Sequence, residues 1–383
     1  MKKALVILLT LAVAGGLFAQ TLTWSASMEG GFGMLNRGDA DDMVFGAVSP
    51  QNWVNGSRLQ LQVDGTNADG NMGFRARLRT NAAGIDPNTF WHHAWGWVSL
   101  FDGLVEVRGG RLQDTVLAMQ DPVFGAMLLN HQGAVAYIRP TDTVTLGFGG
   151  GARHGLGDNV TWDTDTSSPL GFIGPGPSGG LDVWAALGFR VPGAAEIRAQ
   201  LITNHHVTHA LVGLQLTAID NIPIDVFVRA HTLNEFADEG QLIVHGFVGL
   251  NVVQDLNITL GATFGMNQVD NTDPFMAFGG WLEFLGLGNV VPRLDAWFVS
   301  GGDYGFTYGF APTGAIIDPP RMTWNSDQSY LNFRPALRFR ATPASWWEVG
   351  ALVNVELGDV GAAGGTSDDT LTWGLFTAVR IVF

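Results

Sequence analysis

Past residue 20 the chain alternates. Leu22, Trp24, Ala26 and Met28 interleave with Thr23, Ser25, Ser27 and Glu29. Leu59, Leu61 and Val63 interleave with Arg58, Gln60, Gln62 and Asp64, and Met72, Phe74, Ala76 and Leu78 with Gly73, Arg75, Arg77 and Arg79. The period returns at Ala195, Ile197, Ala199 and Leu201, at Phe333, Pro335, Leu337 and Phe339, and at Val349, Ala351, Val353 and Val355. A period of two gives a strand one apolar and one polar face. No segment past the leader carries a long helical stripe.

The pattern predicts strands at 21–34, 55–66, 71–81, 91–101, 103–112, 132–139, 142–152, 181–190, 195–203, 209–218, 222–232, 241–251, 255–266, 276–286, 292–300, 330–341, 345–358 and 371–383. That makes eighteen; sixteen is the alternative, because 132–139 and 209–218 alternate weakly. Short links such as 102, 140–141, 191–194, 219–221 and 342–344 carry Asp, Pro, Gly or Asn and suit turns. The links at 35–54, 113–131, 153–180, 301–329 and 359–370 are long and rich in Gly, Asp, Asn and Ser.

A soluble secreted β-sandwich also alternates. Here the apolar faces sum to more surface than one sandwich core needs. The strands, about ten residues each, have the length of tilted membrane-crossing strands. After residue 20 there is no apolar run of 18 or more residues, so no transmembrane helix is expected. In lipid, only a closed barrel satisfies every backbone amide of a sheet. The expected fold class is therefore all-β: a transmembrane antiparallel β-barrel with short periplasmic turns and long extracellular loops.

Residues 1–19 fit a cleaved signal peptide. Lys2 and Lys3 form its basic start, Ala4 to Leu17 its apolar stretch, and Leu17-Phe18-Ala19 a cleavage site before Gln20. Residues 20–383 then form a single barrel domain, expected in the bacterial outer membrane.

Composition sharpens this picture. Lys+Arg number 20 against 35 Asp+Glu, for a net charge of −15. That balance argues against a nucleic-acid partner, which needs a basic footprint. With Cys 0 there is no disulfide scaffold, thiolate metal site, Cys nucleophile or lipidated Cys anchor. Both lysines lie in the leader, so Arg is the cation of the mature chain. The acids fall mostly in links. Most arginines fall on polar strand faces, with Glu283, Asp295 and Glu348 among the acids there. A charged interior cannot be dry without a severe desolvation penalty, and eighteen strands leave room for water. A water-filled channel for small hydrophilic solutes or ions follows as the expectation.

Two clusters stand out: Arg58, Arg75, Arg77 and Arg79 on the second and third strands, and Arg334, Arg338 and Arg340 on the sixteenth. Two readings stay open. The arginines neutralise Asp64, Glu106, Glu348 and Glu356, or they set charge selectivity.

The run Ala94-Trp95-Gly96-Trp97-Val98-Ser99-Leu100-Phe101-Asp102-Gly103-Leu104-Val105-Glu106-Val107-Arg108-Gly109-Gly110-Arg111 resembles the general bacterial porins. There, two strands joined by a tight turn precede a long third loop that folds into the barrel and forms the constriction. Link 113–131 occupies that place. The resemblance implies that Asp114 and Asp121 face Arg58, Arg75, Arg77 and Arg79, with Glu106 and Arg108 on the adjoining strand. Departures are Asp102-Gly103 in place of an aromatic-Gly turn, scarce Tyr, no Lys past the leader, and an apolar mid-loop including Val116, Leu117 and Phe124. An apolar loop of that kind suits packing against the wall. The last strand, with Trp373, Leu375, Val379, Ile381 and terminal Phe383 on one face, resembles the assembly signal of outer-membrane barrels. It implies the barrel-assembly machinery as a partner, beside outer-membrane lipid. Monomer and homotrimer both stand open.

Other signals are weaker. Arg37-Gly38-Asp39 in the first long link motivates the alternative of a surface adhesin or structural antigen. His205, His206 and His209, and Asp158, Asp163 and Asp165, lack a convincing ligand spacing, so no metal or cofactor is expected. No nucleophile with a base and orienting group is found, so the chain is not expected to be an enzyme. Gly147 to Gly151 reads as small residues in a crowded strand. Of Trp24, Trp184, Trp281, Trp297, Trp346, Trp347 and Trp373, several lie near strand ends and suit interfacial girdles. Trp95, Trp97, Trp184, Trp281 and Trp297 are candidates for an interior aromatic track.

Overall fold

The computed structural model describes residues 21–36, 43–49, 58–81, 91–113, 116–117, 130–153, 181–203, 207–233, 236–267, 275–299, 302–307, 316–317, 321–326, 330–356 and 371–383. Eighteen strands among them form the barrel. They are β1 (Thr21–Asn36), β2 (Arg58–Thr66), β3 (Met72–Asn81), β4 (Trp91–Leu100), β5 (Val105–Gln113), β6 (Asn130–Thr141), β7 (Val144–Arg153), β8 (Leu181–Val191) and β9 (Ala195–Thr203). The second half comprises β10 (Val207–Leu216), β11 (Ile224–Leu233), β12 (Phe236–Val253), β13 (Leu256–Asn267), β14 (Phe275–Phe284), β15 (Val290–Val299), β16 (Tyr330–Thr342), β17 (Ser345–Glu356) and β18 (Leu371–Val382).

Each strand pairs antiparallel with the next. The ring closes through β1. Its first part pairs with β2 (Asp64 opposite Thr23) and its second with β18 (Ala378 opposite Gly31). Four further stretches lie outside the ring. Met43–Ser49 folds back on β1, Ile316–Ile317 pairs parallel with Val48 and Ser49, and Gly302–Thr307 pairs with Arg321–Ser326. The alternation did not reveal these loop strands.

Sixteen strands is excluded, because both weakly alternating segments are strands, β6 and β10. Their alternation fades for a physical reason. Val135, Tyr137 and Leu211 are buried apolar residues on the inner face, so both faces of these strands are apolar.

The pleat sorts the chain as the period dictates. Leu59, Leu187, Leu201, Leu260, Phe278, Leu337 and Leu375 are exposed on the outer face. Asp64, Arg75, Glu106, Arg108, Asp295, Arg334 and Glu348 occupy the other. The tryptophans divide. Trp24, Trp347 and Trp373 are exposed outside, whereas Trp95, Trp184, Trp297 and Trp346 are buried on the inner wall. The girdle expectation for Trp184, Trp297 and Trp346 is thereby corrected. Trp184 lies opposite Ile202 and shares its face with Gln200, and Trp346 lies opposite Arg340.

Candidate functional site: the inner wall of the barrel

Register places charges of opposite sign directly across the strands, the arrangement that stabilises a sheet pair. Asp64 stands opposite Arg75, and Arg75 Nε donates to Asp64 Oδ1 at 2.5 Å. Gln62 stands opposite Arg77 and accepts from its Nε at 2.8 Å. On the next strands, Glu106 accepts from Arg108 Nε at 2.6 Å and from Arg139 Nη2 at 3.0 Å. Aromatic faces complete this sector. The Arg108 guanidinium lies 4.5 Å from the Trp95 ring centroid and 4.9 Å from that of Tyr137. At those distances the cation interacts favourably with the ring. The Arg75 guanidinium also approaches the Trp95 ring, 5.7 Å from its centroid.

A second sector runs over β14 to β17. Asp295 stands opposite Arg334, Glu348 opposite Arg338, and Glu283 opposite Arg293. Arg334 bridges Asp295 at 3.2 Å and also donates to Glu348. Arg338 Nη2 reaches Glu348 at 2.6 Å, and its Nη1 reaches Glu283 at 3.4 Å. Arg293 reaches Asp295 at 2.7 Å, and Arg340 reaches Glu283 at 3.6 Å. Phe376 and Trp346 lie under Arg334 and Arg338 at 4.7 and 4.3 Å. Asp295 and Glu348 are 0 % exposed and Arg334 1 %. Charges so deep are tolerable only when paired, and here each is paired at least twice. Between the sectors, Arg380 on β18 meets Glu29 on β1 at 3.4 Å. The ionic groups thus follow the wall from β14 through the seam to β6.

The facing sector, β7 to β13, carries fewer ion pairs, among them Arg198 Nη2 with Glu196 on β9 at 2.6 Å, and an aromatic row crosses it into β15. Phe227, His245, Phe247, Trp281 and Trp297 follow one another with ring centroids 5.3, 5.9, 6.0 and 6.4 Å apart. Gly261 leaves the space this row needs. A Cβ there would lie 2.7 Å from Phe247 and 2.9 Å from Trp297.

The segment after β5 enters the same interior. Leu117 is buried with Leu112, Val135, Tyr137, Trp184, Ala186 and Ile202. Gln200 Nε2, itself buried, donates to the Leu117 carbonyl at 2.7 Å. Gly147 and Gly188 form the floor under it, since a Cβ at either would stand 3.0 or 2.6 Å from a Leu117 methyl. The crowded-strand reading of Gly147 therefore has a named tenant.

The anticipated residues divide as follows. The structure brings Arg75, Arg77, Glu106 and Arg108 together on the inner wall, and Arg334, Arg338 and Arg340 around Glu283, Glu348 and Asp295. The backbones of Arg58 and Arg79 hold register positions opposite Glu29 and Gln60, and their side chains lie outside the described residues. Asp114, Asp121, Arg37-Gly38-Asp39, Asp158, Asp163, Asp165, His205 and His206 also lie outside them. The side chains of His209 and Glu356 do too. The paired-acid reading holds for Asp64, Glu106 and Glu348. Sequence reasoning missed Arg139, although it is two residues beyond Tyr137 and so on the same face. It also missed Gln200, a neutral residue whose partner is a backbone carbonyl.

The architecture defines an outer-membrane type of β-barrel: closed, eighteen-stranded, apolar outside and charged inside. No protein-family model matches the chain, and no curated protein matches it in sequence. Solved structures do match in fold. OccD3 (OpdP) of Pseudomonas aeruginosa aligns over 96% of this chain and 92% of its own at 10% identity, with a TM-score of 0.56. OpdK of the same organism, solved with vanillate, aligns over 96% of this chain and 100% of its own at 8% identity and a TM-score of 0.55. OccAB1 of Acinetobacter baumannii aligns over 96% and 98% at 9% identity and 0.51.

Proposed function

We propose that this chain is an outer-membrane channel that passes small hydrophilic solutes by diffusion and favours those bearing a carboxylate or another anionic group. The observation that carries the reading is the closed barrel whose inner wall holds guanidinium groups in excess of carboxylates. Arg75, Arg108 and Arg139 meet two acids, Asp64 and Glu106, while Arg77 is held by the neutral Gln62. Arg293, Arg334, Arg338 and Arg340 meet three, Asp295, Glu348 and Glu283. A wall of this sign concentrates anions in a water-filled passage. The vanillate held by OpdK is such a solute, a small aromatic carboxylate.

Residues 1–19 serve as the export signal, and Phe383 with its strand serves recognition by the assembly machinery. Arg58 and Arg79, together with Asp114 and Asp121, belong to the constriction. Purified protein in planar bilayers tests the core of the proposal. Stepwise ion conductance with a reversal potential on the anion side is expected; a sealed, non-conducting barrel would overturn it.

A further inference from the structure

The outer apolar face does not end where the strands end. On the rim of short turns, Phe101 is 74 % exposed and Val252 62 %, and Val191, Ile219, Val253 and Leu287 are exposed beside them. Four successive turns, from β8–β9 to β14–β15, carry such a residue. Other turns on this rim are polar: Asn67 to Asn71 between β2 and β3, and Thr141 to Thr143 after β6. Turns that face water draw on Asn, Asp, Gly, Pro and Ser because those residues form them with little strain. Phe101 breaks that rule, since it holds a φ of 55°, a left-handed backbone that bulky residues rarely adopt. The turn keeps an exposed aromatic ring where a small polar residue would relieve the backbone.

We infer that this rim is a lipid anchor, seated in the headgroup–acyl boundary of the leaflet on the short-turn side and deepest along the arc from β8 to β15. Phospholipid is the occupant because the apolar turns continue the lipid-facing band. Leu187 and Phe189 run into Val191, and Leu100 into Phe101, all exposed. The residues are also spread around a rim, each near a polar neighbour such as Asp102, Asp220 or Asp255, rather than gathered into one protein-sized patch. An apolar group beside a wet one is the composition that interfacial segments use.

The inference rests on the membrane-spanning reading, and the test separates the two. The chain has no Cys, so single labels are placed by Ile219→Cys, Val253→Cys and Leu287→Cys, with Ala68→Cys and Asp142→Cys on polar turns and Leu201→Cys on the outer strand face. The full-length protein, selected for heat-dependent gel migration, carries a bimane label in phosphatidylethanolamine–phosphatidylglycerol nanodiscs, where both rims are open to solution. Quenching by doxyl-labelled lipid is expected to be several-fold stronger at Ile219, Val253 and Leu287 than at Ala68 and Asp142, with iodide quenching in the reverse order. If the three rim sites match Ala68 in iodide access while Leu201 is quenched by doxyl lipid, the anchor is overturned and the barrel reading stands. If Leu201 also escapes doxyl lipid, the membrane reading itself falls. Shielding of the rim from both quenchers would seat a second copy there and would equally overturn the lipid assignment.

Discussion

Glu348→Gln isolates the electrostatic content of the β14–β17 sector. The amide fills the carboxylate's volume, so no cavity opens. What changes is charge. Glu348 accepts from Arg334, from Arg338 Nε at 2.7 Å and from Arg338 Nη2 at 2.6 Å, and it is wholly buried. After substitution, Arg293, Arg334, Arg338 and Arg340 share two carboxylates, Asp295 and Glu283. Removing one partner from a buried ion pair costs about 3–5 kcal/mol, because the charge left behind is not resolvated. That corresponds to about 150- to 5,000-fold in the folding equilibrium. Asp64→Asn is the matched control. Asp64 bridges Arg75 at 2.5 Å but is 28 % exposed in its side chain. Water reaches that pair, and its loss should cost about 1 kcal/mol or less. Urea titration in phospholipid vesicles, followed by the gel shift between folded and unfolded barrel, measures both. If Glu348→Gln unfolds within about 1 kcal/mol of the parent protein, as Asp64→Asn should, water reaches the sector and its burial does not govern its energetics.

Three further outcomes follow from the inner wall and the last strand. Replacing Arg75, Arg77 and Arg139 together by Gln should move the bilayer reversal potential toward cations, and an unchanged potential would make these residues purely structural. Gly188→Val should push a methyl into the seat of Leu117, which lies 2.6 Å from the added Cβ; the overpacking costs about 1–3 kcal/mol and should expose the segment after β5 to protease. Deleting Phe383, whose backbone N–H and carbonyl bond to Ala26 at 2.8 and 3.2 Å, should reduce the heat-modifiable folded fraction in outer membranes, and an unchanged fraction would remove the terminal residue from the assembly signal.

Much of this structure was legible because a barrel strand obeys a local rule. Lipid on one side and water on the other impose the period of two, and the eighteen strands follow within a few residues. The rule fails where both environments are alike. At Val135, Tyr137 and Leu211 the interior is apolar too, and the signal fades. The charge pairing was legible in composition, since Asp64, Glu106 and Glu348 were marked as partners. Its geometry was not, because Asp295 finds Arg334 through a register that no single strand encodes. The Gln200 contact lay further out of reach. It joins a side chain to a carbonyl far away in sequence, and nothing about an isolated Gln or Leu announces that meeting.

Among the eighteen barrel strands, every pairing but those at the seam joins strands consecutive along the chain, many through turns of a few residues. The seam between β1 and β18 joins Ser27 to Val382 and Glu29 to Arg380 across almost the whole chain. It is therefore the contact of highest sequence separation, and chain entropy delays such contacts in folding. Until it forms, a nearly complete sheet carries two bare edges, each able to pair with another molecule. The wall can be assembled piecemeal, but protection from aggregation arrives only at the last step, with the final twelve-residue strand. A nascent chain halted before that strand has nearly all of the barrel's hairpins and none of its safety.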